Sequence, residues 1–129
     1  MREGSVEIDG RTLHLAEVSE PRPGQALAIV MDTRPCEGAR RLAQGVDLLL
    51  CESTYLHSEV SEAWERGHMT AGQAARLAAD ASVRRLVLTH FSQRYPDQTV
   101  FLDEAGPIFA DCVAAEDGMV IPVPKRARA

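Results

Sequence analysis

The most constraining feature of this sequence is a set of three continuous apolar runs, each followed by a residue that can bind a metal or move a proton. The runs are ALAIVM at 26–31, VDLLLC at 46–51 and RLVLT at 85–89, followed in turn by Asp32, Glu52 and His90. Unbroken apolar runs of this length are typical of parallel strands covered on both faces. Helical segments separate the runs, so the sequence predicts an α/β fold with a β-sheet covered by helices.

The segments around these runs complete the expected architecture. We expect helices at about 37–44, closed by Gly45, and at about 57–66, 70–81 and 98–109, with a break at Gly67-His68. The Asp9-Gly10 pair favours a tight turn between SVEI and TLHLAEV, which predicts a hairpin. Two further strands are expected in DCVAA and MVIPV near the carboxyl end. The hairpin and these closing strands would make the sheet mixed.

The residues that end the three runs are expected to lie close together. Carboxyl ends of parallel strands meet at one edge of a sheet, where neighbouring strands lie about 4.8 Å apart and where ligands of open α/β sheets bind. His68 follows a glycine in a break between helices and could reach the same edge, with Glu52 orienting its ring. The plain alternatives are that the strand-end residues merely begin loops and that His68 is an exposed loop histidine.

Composition and charge narrow the range of function classes. The 129 residues carry 14 basic and 19 acidic side chains and a net charge of −5, which is not typical of a nucleic-acid-binding surface. Cys36, Cys51 and Cys112 are odd in number and far apart, which argues against a disulfide framework or a cysteine zinc site. No apolar run approaches the roughly 20 residues of a membrane helix, and MREGSVEIDG lacks the apolar stretch of a secretory signal. We therefore expect a cytoplasmic protein with no membrane segment.

Five segments resemble the C-terminal half of the ribonuclease Z family, whose members trim the 3′ trailer from precursor tRNA on a metallo-β-lactamase fold. In chain order they are MDTRPC, LLLCESTY, GHMTAGQAARLA, RLVLTHFSQRY and AEDGMVIPV. The resemblance implies that residues 1–124 form the C-terminal half of a metallo-β-lactamase-like αββα sandwich. Residues 125–129 would be a basic, frayed tail.

The resemblance also implies roles for individual residues. Asp32 would bridge two zinc ions, and His90 would ligate the second. His68 would face the scissile phosphate and donate a hydrogen bond or proton to the leaving oxygen, with Glu52 as its carboxylate partner. Three further residues match the family less directly: Ser92 and Arg94, as supports of the His90 loop or as phosphate contacts, and Asp117, in the Ala-x-Asp loop.

The chain departs from the family pattern chiefly in what it lacks. It contains no His-x-His, whereas the family's HxHxDH motif supplies most of the metal ligands. Met31, Cys51 and Met69 replace a glycine, a histidine and a serine that are usual in the family. Asp32 and His90 alone fall short of the three or four protein ligands of a typical zinc site. We therefore expect the chain to be inactive alone and to need an N-terminal half or a second chain.

The sequence is compatible with self-association, with another metal and with other function classes. A lone half would expose an apolar sheet face and a strand edge, which predicts self-association as a homodimer. Manganese could replace zinc. The chain could instead belong to another phosphodiesterase or hydrolase of the superfamily, or be a metal-free remnant that acts as an interaction module. A small α/β module that binds an anion would also explain the strand-end cluster, but not the family motifs.

Overall fold

The computed structural model describes residues 4–20 and 22–126. The strands are β1 (Ser5–Ile8), β2 (Arg11–His14), β3 (Leu27–Val30), β4 (Leu48–Glu52), β5 (Leu86–Thr89) and β6 (Cys112–Ala114). The α-helices are α1 (Leu15–Val18), α2 (Glu37–Ala43), α3 (Val60–Arg66), α4 (Ala71–Asp80) and α5 (Thr99–Ala105), and a 3₁₀ turn at His57–Glu59 precedes α3. The central elements thus lie where the sequence predicted them, and the α/β fold class is confirmed.

The main sheet has the strand order β3-β4-β5-β6, and every neighbouring pair in it is parallel. The expectation of a mixed sheet is therefore wrong, because β1 and β2 form a separate antiparallel hairpin. Residues 119–123 form no strand, since Pro122 has no N–H for a ladder and the side chain of Gln25 binds the carbonyl of Val123. Residues 15–18 form α1 instead of extending the second hairpin strand.

One face of the main sheet carries the hydrophobic core. Its side chains alternate along the strands and pack against alanine-rich α4, against α2 and against Phe101 of α5. The small side chains of α4 allow the helix to approach the sheet closely. Thr70 caps α4 by accepting a hydrogen bond from the N–H of Gln73, while the Gln73 side chain accepts one from the N–H of Thr70. This capping box fixes where α4 begins, directly after His68 and Met69.

The opposite face of the sheet is open at β3. Leu27 and Ile29 are each 53% exposed, although both belong to a continuous apolar run. They line a groove with Leu50, and the segment that follows β6 closes its other side. The expectation that both faces of the strands are covered is therefore wrong for β3, whereas Leu48 of β4 and Val87 of β5 on the same face are buried. The expected open apolar face and open strand edge are confirmed, because β3 is the edge strand of the sheet.

The amino-terminal edge of the sheet is held by a buried carboxylate. Asp47 is fully buried and accepts hydrogen bonds from Arg84, from Arg126 and from the N–H of Ala26. The bond from Arg126 is the largest cause that lowers the pKa of Asp47 to about 2. Arg84 and Arg126 thus supply the cationic partners that a buried anion needs. Residues 127–129 lie outside the described part of the chain.

Candidate metal centre

The three residues that follow or end the apolar runs do converge at the carboxyl edge of the sheet. Val30 pairs with Cys51, and Glu52 pairs with Thr89, so the ends of β3, β4 and β5 are level with one another. Asp32 and His90 extend beyond these ends into the adjoining loops. The convergence predicted from the sequence is confirmed for Asp32, Glu52 and His90.

Asp32, His68 and His90 form a compact group of potential metal ligands. One ligand atom from each of the three lies within 4.8 Å of the others. Nε2 of His90 is 3.3 Å from Oδ1 of Asp32, and the rings of His68 and His90 have centroids 5.3 Å apart. Asp32 is exposed and His68 is partly buried, so the group opens to solvent on one side. The structure thus brings His68, predicted as a catalytic residue, into the group of the two predicted ligands.

Asp32 and His90 both turn off their strands through an uncommon backbone conformation. Their φ angles are +50° and +60°, in the left-handed region that non-glycine residues rarely adopt but that aspartate and histidine enter more often than most. Such residues cost about 1–3 kcal/mol each and cluster at functional sites. The loops that carry them are therefore held by contacts elsewhere.

Glu52 supplies those contacts from the centre of the site. Its side chain is fully buried and accepts hydrogen bonds from the N–H of Thr33, the N–H of Met69, the hydroxyl of Thr54 and Nδ1 of His68. Oε2 is 3.0 Å from each of the last three donors. Four donors offset the cost of burying the carboxylate, and they tie the loop after β3 to the turn before α4.

His68 occupies a fixed turn between two helices. α3 ends at Gly67, whose φ of +84° is the left-handed conformation that glycine adopts without strain. The N–H of His68 then donates to the carbonyl of Ala63 at 2.8 Å. An isolated bridge between Tyr55 and Thr70 holds the far side of the turn. These contacts direct the ring of His68 at Glu52, as the Gly67-His68 break in the sequence predicted.

Sequence reasoning missed Thr54, although it lies in LLLCESTY, one of the five segments that carry the family resemblance. Its hydroxyl lies 3.0 Å from Oε2 of Glu52 and 2.9 Å from Nδ1 of His90. The side chain is buried between the two groups. The sequence indicates the role of Thr54 only by its place two residues after Glu52 at the end of a strand. Its second partner, His90, follows a different strand, so the sequence does not show that contact.

Arg94 and Ser92 bind neighbouring segments of the chain and so hold the loop that begins at His90. The Arg94 guanidinium binds both carboxylate oxygens of Glu62 at 2.9 Å and the carboxylate of Glu59, and it lies 5.0 Å from the ring centroid of Tyr55. These acidic partners raise the pKa of Arg94, and Arg94 lowers the pKa of Glu62. The N–H of Ser92 donates to the carbonyl of Thr54 at 3.1 Å. Both residues thereby anchor the loop that begins at His90.

Asp117 lies apart from this group. It belongs to the turn after β6 and lines the groove on the open sheet face, together with Leu27 and Ile29. Its side chain is therefore near the uncovered apolar surface rather than among Asp32, His68 and His90.

The donors present fit a zinc site. Carboxylate oxygen and imidazole nitrogen are common zinc ligands, and carboxylates also accept manganese. Nδ1 of His68 faces Glu52 and Nδ1 of His90 faces Thr54, so Nε2 of each ring is the nitrogen left for a metal or a substrate. Three donors from one chain leave coordination positions for other groups. The site is thus compatible with a metal whose remaining ligands come from elsewhere.

The chain belongs to the β-lactamase superfamily. The sequence profile of the β-lactamase superfamily domain matches residues 14–91, more than half of the 129 residues. Among solved structures, the metallo-β-lactamase fold protein YhfI from Bacillus subtilis superposes with a TM-score of 0.67 at 23% identity, covering 74% of this chain and 39% of its own. At that identity the likeness shows the fold alone.

Within the superfamily, the chain is similar to ribonuclease Z. The ribonuclease Z of Nocardia farcinica is 57% identical over 126 residues, which cover 97% of this chain and 41% of the relative. The structure of the short form of human tRNase Z superposes with a TM-score of 0.62 at 31% identity, covering 88% of this chain and 37% of that one. The resemblance inferred from the five sequence segments is confirmed.

The chain spans about two fifths of the length of the curated relatives it matches. Of the helices within residues 4–20 and 22–126, none has the length and apolar character that a membrane span requires.

Proposed function

We propose that this chain forms the C-terminal part of a zinc-dependent endoribonuclease that removes the 3′ trailer from precursor tRNA by phosphodiester hydrolysis. The observation that carries the proposal is the group formed by Asp32, His68 and His90, which lie in the segments that resemble ribonuclease Z. The remaining ligands would come from a portion or second chain that carries the HxHxDH motif. Alone, the chain would not cleave RNA.

Asp32 and His90 are the metal ligands in this proposal. Two zinc ions, or manganese in their place, would supply the charge that activates a water and neutralises the phosphodiester. The carboxylate of Asp32 has two oxygens and is exposed, so it can serve both positions of such a pair. The left-handed backbone of both ligands keeps their side chains directed at each other before any metal binds.

His68 acts on the leaving oxygen in this proposal. Because Nδ1 of His68 donates to the buried carboxylate of Glu52, Nε2 is the nitrogen that faces the open side of the site. A proton on Nε2 can then be donated to the departing oxygen, and Glu52 stabilises the charged ring. The same nitrogen could ligate a metal instead. Replacement of His68 by glutamine separates the two roles. If His68 is the general acid, the variant loses cleavage but keeps a metal content near that of the wild type.

The open sheet face is where the missing portion would pack. Leu27 and Ile29 are half-exposed apolar residues on the edge strand, and Met31 is 38% exposed beside the candidate metal centre. A partner that covered this face would be continuous with the site and could bring ligands to it. A partner with basic residues would also offset the net charge of −5, which is unfavourable for RNA binding.

Two further properties belong to the proposal. In the absence of its complement, the same face would mediate homodimerisation of the chain. A cytoplasmic location is supported by Cys36, Cys51 and Cys112, which are all free thiols.

The experiment combines the purified chain with a polypeptide spanning the part of Nocardia farcinica ribonuclease Z that lies outside the matched 126 residues. Cleavage of a precursor tRNA and metal content are measured for each component and for the mixture. We expect zinc-dependent cleavage at the trailer junction only in the mixture. Cleavage by the complementing polypeptide alone, or a mixture that binds two metals but leaves the RNA intact, would overturn the proposal.

A further inference from the structure

One hydroxyl group joins the two sides of the candidate metal centre. Oγ1 of Thr54 is 3.0 Å from Oε2 of Glu52 and 2.9 Å from Nδ1 of His90. Thr54 is only 7% exposed, and its carbonyl accepts a hydrogen bond from the N–H of Ser92. The hydroxyl is therefore held between a carboxylate and an imidazole.

The number of hydrogens available on the three groups determines the direction of both hydrogen bonds. An ionised carboxylate only accepts hydrogen bonds, and a hydroxyl has one hydrogen to donate. The Thr54 hydroxyl therefore donates to Glu52 and has only lone pairs for His90. Nδ1 of His90 must then carry the hydrogen and donate it to Oγ1 of Thr54. A ring protonated only on Nε2 would leave Nδ1 and Oγ1 facing each other with no hydrogen between them.

We infer that Thr54 is a positioning residue that relays a hydrogen bond from His90 to Glu52 and thereby keeps the hydrogen of His90 on Nδ1. Nε2 of His90, 3.3 Å from Oδ1 of Asp32, then presents its lone pair to a cation shared with that carboxylate. The inference rests on the proposed function in so far as that cation is zinc. Outer partners that fix the tautomer of a ligating histidine are a general device of metal sites.

The relay also explains why one buried carboxylate serves both histidines. Oε2 of Glu52 accepts directly from Nδ1 of His68 and indirectly, through Thr54, from Nδ1 of His90. Both rings consequently carry a hydrogen on Nδ1, with Nε2 directed at the open side of the site. Without the hydroxyl, His90 would have the carboxylate of Asp32 as its nearest polar partner and would take the hydrogen onto Nε2. That tautomer cannot ligate a metal through Nε2.

The experiment determines the protonated nitrogen of His90 by ¹⁵N NMR of the full chain, without metal, for the wild type and for Thr54→Val and Thr54→Ser. Valine keeps the branched shape and removes the hydroxyl, whereas serine keeps the hydroxyl. Thr89→Val is the matched control, because Thr89 precedes His90 directly but lines the groove on the other face of the sheet. We expect hydrogen on Nδ1 of His90 in the wild type, in Thr54→Ser and in Thr89→Val. In Thr54→Val we expect the neutral ring to change to the Nε2–H form.

Zinc binding to the same four proteins, each assembled with the complementing polypeptide that carries the remaining ligands, gives a second readout. We expect Thr54→Val to bind zinc about 10–100-fold more weakly than the wild type, the usual effect of losing an outer hydrogen-bond partner. Hydrogen on Nε2 alone in the wild type would overturn the inference. This test uses only the wild-type chain, so it remains valid even if Thr54→Val does not fold. An unchanged Nδ1–H form in Thr54→Val, or equal change in Thr54→Ser, would also overturn it. If none of the four proteins, the wild type included, binds zinc but the tautomers are as expected, the proposed metal centre would be contradicted. The relay through Thr54 would still be supported.

Discussion

Nε2 of His90 lies 3.3 Å from Oδ1 of Asp32, although the two residues follow different strands of the sheet. This carboxylate and imidazole, both on left-handed backbone, are the pair to which the proposed function assigns the metal. The relationship depends on the order and parallel direction of β3, β4 and β5.

Asp32→Asn should remove metal binding with little change in fold. Asparagine keeps the shape of the side chain but replaces an anionic ligand by a neutral amide, so zinc affinity of the completed enzyme should fall by more than about tenfold. Metal content after dialysis and cleavage of precursor tRNA are the measurements. Asp103→Asn, on the exposed side of α5, is the control and should change neither. Wild-type metal content in Asp32→Asn would remove Asp32 from the ligand set.

Glu52→Gln should destabilise the chain as well as inactivate the completed enzyme. The amide group of glutamine brings its own N–H donors toward groups that already donate, and some of the four hydrogen bonds would be lost. Each buried partner left unsatisfied costs about 1–3 kcal/mol in the free energy of unfolding, which denaturant titration measures. Glu65→Gln is the control, because the Glu65 side chain is exposed on α3. Equal stability of Glu52→Gln and the wild type would show that Glu52 does not hold the site together.

The stability of the chain should fall in acid because of Asp47. Its pKa is lowered in the folded state from 3.8 to about 2, first by the hydrogen bond from Arg126. A lowered carboxyl pKa stabilises the fold above the unfolded-state value, and this contribution is lost as the pH falls from about 5 through about 2. Urea unfolding of the wild type and of Asp47→Asn over this range is the measurement. The variant should show a smaller slope of stability against pH; equal slopes would mean that other groups cause the acid loss.

Leu27→Glu should reduce self-association of the isolated chain. A carboxylate on the open sheet face would have to be desolvated when a second apolar surface covers it. Sedimentation velocity of the wild type is expected to show dimers, and that of Leu27→Glu chiefly monomers, with equal thermal stability. Leu42→Glu is the matched control, since Leu42 on α2 is 55% exposed, close to the 53% of Leu27, and lies away from the groove. Equal dissociation of both variants would place the interface elsewhere.

The same substitution tests where the proposed complementing polypeptide packs. Leu27→Glu should weaken assembly with the complementing polypeptide and lower tRNA cleavage in the mixture, while Leu42→Glu should affect neither. Native mass spectrometry of the mixtures measures the assembly. Normal assembly of Leu27→Glu would show that the open face is not the surface that the complement covers.

Much of the local structure was predictable from the sequence because it depends on residues that are near one another along the chain. Apolar runs located β3, β4 and β5, and Gly67 ended α3, because a left-handed residue is needed there and glycine adopts it at no cost. The residue types Asp, Glu and His at the ends of three parallel runs located the candidate site. Parallel strands bring such ends together whatever the details of the loops.

Only the tertiary structure decided how these residues connect. An apolar run reports that burial is favourable but not which surface supplies it, so Leu27 and Ile29 were expected to be covered and are half exposed. The closing segment 119–123 was expected to be a strand, yet it forms none, and the carbonyl of Val123 accepts a hydrogen bond from the side chain of Gln25, just before the edge strand β3. The relay through Thr54 was likewise invisible, because a hydroxyl of one loop and an imidazole of another meet only after β4 and β5 pair. Residues that are close along the chain determine where helices and strands form. The order and pairing of the strands determine which side chains touch.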